Sequence, residues 1–140
     1  MIGKTIDQMQ VGDTAQFSKT VSETDIYLFA GISGDFNPAH VNEQYAGKTF
    51  FKARIAHGLL SASFLSAVLA NQLPGPGTIF ISIALEFLAP VFIGDTVTAQ
   101  VEVADVDKQK KRVSMNLSCT NQAGKPLLKG EAVVSPPKAS

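Results

Sequence analysis

The chain has 140 residues, 45% of them apolar, and its 12 Lys and Arg are balanced by 12 Asp and Glu to a formal net charge of zero. That balance leaves no electrostatic surplus for a phosphate backbone or an anionic bilayer, which argues against nucleic acid and membrane surfaces as partners. With so many apolar residues, 9 of them Phe, the chain can fill a core and is expected to form one domain over residues 1–140, not a disordered segment.

The opening MIGKTIDQMQVGD carries neither a basic stretch followed by an apolar one nor an Arg-rich amphipathic pattern, so no targeting segment is expected and the protein is read as cytoplasmic. From Thr14 to Val21 polar and other residues alternate, which predicts a short strand. Ser22 followed three residues later by Asp25 is a helix-start signature, and a helix from about Glu23 to Ile32 follows. Gly34 and Pro38 should stop it, leaving residues 34–40 as a loop or turn, with short helical turns from Val41 to Lys52.

Between Ile55 and Leu85 there is no charged residue. The apolar part from Gly58 to Ala70 is only 13 residues long, is interrupted by Ser61, Ser63 and Ser66, and is stopped by Asn71, Gln72 and Pro74, so it is too short to span a bilayer. It predicts a helix buried on nearly every side. The run TIFISIALEFLAP then reads as a central strand. From Asp95 the alternation of Val97, Ala99, Val101 and Val103 predicts a long strand, the charged DKQKKR a hairpin tip, and VSMNLSCT and PLLKGEAVV two returning strands.

About five antiparallel strands and one long, charge-free helix fit an α+β architecture in which a curved sheet wraps the central helix, a hot-dog-like arrangement. Such a sheet keeps an open edge, and pairing with a second copy as a homodimer is expected.

Chemistry is expected around the charge-free middle. The only histidines, His40 and His57, flank it, and Asp35 lies five residues before His40. Gly34 and Pro38 let one loop bring carboxylate and imidazole toward a shared water, although Asp followed by Asn-Pro is also a common self-capping turn. His57, just before a helix, reads first as a cap or as a partner for a buried carbonyl. Gly58 opens that helix, where unpaired N–H groups and a missing side chain suit a substrate oxygen. With one cysteine, Cys119, there is neither a disulfide nor a zinc-type ligand cluster; Cys119 reads as a small core residue.

GDFNPAHVN, then ARIAHGLLSASFLSAVLANQLPGPG, then LEFLAPVFIGDTVTAQVEV, in this order, resemble the MaoC-like (R)-specific enoyl-CoA hydratases over nearly the whole chain. The resemblance implies a dimeric hot-dog fold and syn addition of water to a trans-2-enoyl-CoA, giving an (R)-3-hydroxyacyl-CoA without metal or redox cofactor. It implies Asp35 and His40 as the catalytic pair with Asn37 between them, Gly58 N–H as the donor to the thioester oxygen, and Ser66 as the counterpart of a serine near the active site in short-chain members. His57 is carried with the substrate-binding residues, and Leu69 and Val133 are assigned to the acyl tunnel. His40 is taken as base and Asp35 as the group that orients the water and passes the proton to C2, roles that the sequence leaves exchangeable. Lys48, Lys52 and Arg54 form a basic cluster that suits either the phosphates of CoA or an acyl carrier protein. A 3-hydroxyacyl-carrier-protein dehydratase, an acyl-CoA thioesterase and a non-catalytic acyl-binding module are the competing readings.

Overall fold

The computed structural model describes residues 1–139. Strand β1 (Thr14–Thr20) leads into helix α1 (Glu23–Ser33), two short helical segments α2 (Pro38–Val41) and α3 (Glu43–Gly47), and the long helix α4 (Gly58–Asn71). Four strands follow, β2 (Ile79–Phe87), β3 (Thr96–Asp107), β4 (Arg112–Thr120) and β5 (Pro126–Ser135). They pair with β1 into one antiparallel sheet in the order β1-β3-β4-β5-β2. Among the described residues no helix is long and apolar enough to cross a membrane.

Helix α1 begins where the capping signature places it: Ser22 Oγ accepts from Asp25 N while Asp25 accepts from Ser22 N. It stops at Gly34, whose φ of 80° supplies the left-handed cap. Residues 34–40 are not loop throughout. Asn37 accepts from Ala39 N and Pro38 occupies the first helical position, so His40 sits on a helical turn; a Pro that ends one helix is equally suited to start the next.

The alternation in β3 is borne out, with Val97, Ala99, Val101 and Val103 all fully buried. They face the apolar stripe of α4, whose Leu65, Val68 and Leu69 are inaccessible to solvent. Each such side chain contributes about 1.5–3 kcal/mol on burial. Cys119 lies in this core, its thiol pushed up to about 12 by burial.

Two expectations are corrected. The run after Thr78 is not a central strand: β2 lies at the sheet edge, pairs only with β5, and leaves Ile79, Phe80, Ile81 and Ile83 exposed. Nor is α4 buried all round, because Leu59, Ser63, Ser66 and Ala70 form an exposed face at helical spacing. Both segments leave apolar side chains exposed in this chain, because a run of apolar residues does not by itself specify on how many sides it is covered.

Candidate active site

The C-terminal end of α1, the α2 turn and the N-terminus of α4 converge beside the Phe87–Leu88 end of β2 and the start of β5. Beside them lies a cavity of about 730 Å³, walled by Phe29, Asp35, Gly58, Ser61, Phe87 and Leu128 among others; no residue of α2, His40 included, is on its wall.

Local hydrogen bonds build the Asp35–His40 turn. Asp35 N donates to Ser33 Oγ, Asp35 Oδ1 accepts from Asn37 N, and His40 N donates to Asn37 O. This occupies one carboxylate oxygen and leaves the other, Oδ2, 4.0 Å from His40 Nε2. The second ring nitrogen of His40, Nδ1, lies 2.7 Å from the carbonyl oxygen of Ile55. A carbonyl only accepts, so in neutral His40 the proton is on Nδ1 and the lone pair on Nε2, toward Asp35. The chain path of residues 54–57 supports this contact: Ile55 N donates to Ala39 O and Ala56 N to Val91 O.

His57 is buried, 2% exposed, and sits behind the pair and outside the cavity wall. Its ring stacks on His40 with centroids 3.9 Å apart and tilts against Phe29 at 4.9 Å. It occupies the N-cap position of α4 without capping it. Instead Nε2 donates to the Asp35 carbonyl at 2.9 Å, so one side chain braces both members of the pair. Asp35, His40 and His57 bring possible ligand atoms within 4.8 Å of one another. Each ring has one nitrogen on a carbonyl, which leaves His40 Nε2 available as a proton acceptor.

Gly58 is the first residue of α4, and no side chain caps that helix. A Cβ there would lie 2.8 Å from the Phe87 ring, so glycine keeps the helix end and the aromatic wall in close approach.

The other expected site residues lie apart from the cavity wall. Asn37 shapes the turn, Ser66 is on the exposed face of α4, Leu69 is packed in the core, and Val133 points to the opposite face of β5 from buried Ala132 and Val134. The wall beside Gly58 comes instead from Phe87, Leu127 and Leu128. Arg54 is also reassigned. It is 7% exposed, donates to Glu23 Oε1 at 2.7 Å and Tyr27 Oη at 2.9 Å, and pairs with Glu43 at 3.2 Å. That engagement removes it from phosphate binding, whereas Lys48 and Lys52 remain exposed. Sequence gave no signal for the Ile55 carbonyl, since any residue carries one.

A profile of the MaoC like domain matches residues 7–123. The chain belongs to the MaoC-like family. An (R)-specific enoyl-CoA hydratase from Rhodospirillum rubrum is 56% identical over 94% of this chain and 90% of its own length. A 3-hydroxybutyryl-CoA dehydratase from Methylorubrum extorquens is 46% identical over 94% of this chain and 83% of its own. The solved (R)-hydratase of A. caviae involved in PHA biosynthesis superposes with a TM-score of 0.90 at 40% identity, covering 92% of this chain and 98% of that one. The unliganded R-hydratase of Pseudomonas aeruginosa gives 0.92 at 42% identity, covering 98% and 88%. This MaoC-like chain therefore has the hot-dog fold of those hydratases, with Asp35 on the wall of its apolar cavity.

Proposed function

We propose that this MaoC-like protein is an (R)-specific enoyl-CoA hydratase acting reversibly on short- to medium-chain trans-2-enoyl-CoA, with Asp35 and His40 as the catalytic pair. The observation that carries this reading is the 4.0 Å gap between Asp35 Oδ2 and His40 Nε2, with Asp35 on the wall of an apolar cavity. A water about 2.8 Å from each atom would see them nearly at right angles. Both atoms accept, so the water directs its two protons at them and its lone pairs into the cavity.

Attack at C3 moves charge onto the thioester oxygen, which Gly58 N–H receives at the positive end of α4. His40 Nε2 takes one water proton, the hydroxyl bonds to C3, and the proton held by the pair passes to C2 on the same face. One water thus supplies both atoms, which accounts for syn addition. Asn37 holds the turn and His57 braces the pair. The exposed Lys48 and Lys52 are assigned to the phosphates of CoA.

We place two copies side by side along the open β2 edge, which buries Ile79, Ile81 and Ile83 and completes the burial their composition calls for. The protein is placed in the cytoplasm, where its single buried thiol needs no disulfide partner.

The test uses crotonyl-CoA, following loss of enoyl absorbance, release of free thiol and the configuration of the product. Absorbance loss without thiol, yielding the (R) product, is expected. Thiol release would instead make the protein a thioesterase, and turnover confined to carrier-protein substrates a carrier-linked dehydratase.

A further inference from the structure

Three serines interrupt the apolar run of α4, and they are not equivalent. Ser63 donates its hydroxyl back to Leu60 O, and Ser66 is on the exposed face. Ser61 is 2% exposed, and its Oγ is buried with no hydrogen-bond partner. A buried hydroxyl without a partner costs desolvation and returns nothing to the fold. The helical remedy, bonding back to a carbonyl one turn earlier, is the one Ser63 uses and Ser61 does not.

Its location supplies the missing partner. Ser61 and Gly58 both form part of the cavity wall, and three residues apart they share one helix face. Side chains on a helix lean toward its N-terminus, so the Ser61 side chain leans toward the turn at Gly58, where the Phe87 ring bounds the same part of the cavity. An oxygen received by Gly58 N–H is therefore within reach of a second donor.

We propose that Ser61 Oγ–H is that second donor, hydrogen-bonding the substrate's thioester oxygen alongside Gly58 N–H as charge accumulates there. The assignment rests on the hydratase reading above. No proton is transferred: the hydroxyl turns toward the cavity, its hydrogen bond strengthens as the oxygen becomes enolate-like, and it relaxes when C2 is protonated. Such a donor acts on the transition state more than on substrate binding, so its removal lowers kcat and leaves KM nearly unchanged.

The experiment compares wild type with Ser61→Ala and Ser61→Cys, measuring kcat and KM for crotonyl-CoA, Tm, and the fraction of bound acetoacetyl-CoA held as enolate by its ultraviolet absorbance. For Ser61→Ala the expected result is a fall in kcat of about 10- to 10²-fold, a nearly unchanged KM, a smaller bound enolate fraction, and a Tm equal to or above that of wild type. Ser61→Cys, with a weaker donor, should fall between. A structural hydroxyl would move Tm downward with activity. Unchanged kcat, a lowered Tm, or a lowered kcat with the enolate fraction intact would each overturn the assignment. A wild type that does not hydrate crotonyl-CoA would overturn the reading beneath it, whereas an active wild type with an unaffected Ser61→Ala overturns the role of Ser61 alone.

Discussion

His40 Nε2 and Asp35 Oδ2 stand 4.0 Å apart, too far for a direct hydrogen bond and well spaced for one water between them. Substituting either acceptor should remove that water's activation and spare the fold, because Asp35 is half exposed and Asn retains the oxygen that receives Asn37 N. Asp35→Asn and His40→Ala should each lower kcat for crotonyl-CoA by about 10²- to 10⁴-fold with circular dichroism unchanged. Wild-type turnover in either variant would remove the pair from the mechanism.

His57 separates bracing from chemistry. His57→Phe keeps an aromatic ring against His40 and Phe29 but loses the hydrogen bond to the Asp35 carbonyl. The expected outcome is a kcat lower by about tenfold with KM little changed, and a stability loss of about 1 kcal/mol in urea melts. A change confined to KM would mean that the ring meets substrate directly.

Gly58→Ala places a methyl carbon about 2.8 Å from the Phe87 ring, forcing ring or helix to shift. Ala favours helix over Gly by up to about 1 kcal/mol, which partly offsets the clash in stability but not in geometry. Its kcat/KM should fall at least about tenfold while Tm moves little. An unaltered kcat/KM would show that this approach does not shape the site.

Charges placed on the β2 edge test the assembly. Ile81 and Ile83 are exposed there, and lysines at both positions would oppose strand pairing between copies. Sedimentation should show wild-type dimers and monomers of the double variant. A monomeric wild type would refute the edge-to-edge arrangement.

Asp25 makes acid stability predictable in sign. Burial alone would raise its carboxyl, but hydrogen bonds from Lys19 and Ser22, with the Lys19 charge, outweigh that and hold it below the ordinary range. A carboxyl lower in the folded than in the unfolded chain stabilises above its unfolded value, and that stability is lost as pH falls through the folded one. Asp25→Ala should therefore cost about 0.5–2 kcal/mol at neutral pH, and the difference from wild type should shrink toward pH 3 in denaturant titrations.

What was legible in the sequence was local. The start of α1 could be read because Ser22 and Asp25 satisfy one another within a single turn, and the face of β3 because its period is two. The Asp35–His40 proximity was legible because five residues and one proline leave the chain few other paths. The edge position of β2 was not, since a continuous apolar run reports the need for cover and not its source. Arg54 looked like a free cation because its partners Glu23 and Glu43 lie 31 and 11 positions away, a separation that only the packing of α1 and α3 closes.

The Ile55 carbonyl bears on how this site tolerates change. Because a peptide oxygen lies 2.7 Å from His40 Nδ1, the tautomer of the neutral ring is a property of the route the main chain takes. Side-chain replacement at position 55 leaves that oxygen in place, so a scan of point variants would score the position as permissive. Transplanting Asp35 and His40 onto another scaffold without this stretch of backbone would deliver the right residues in an unspecified tautomer.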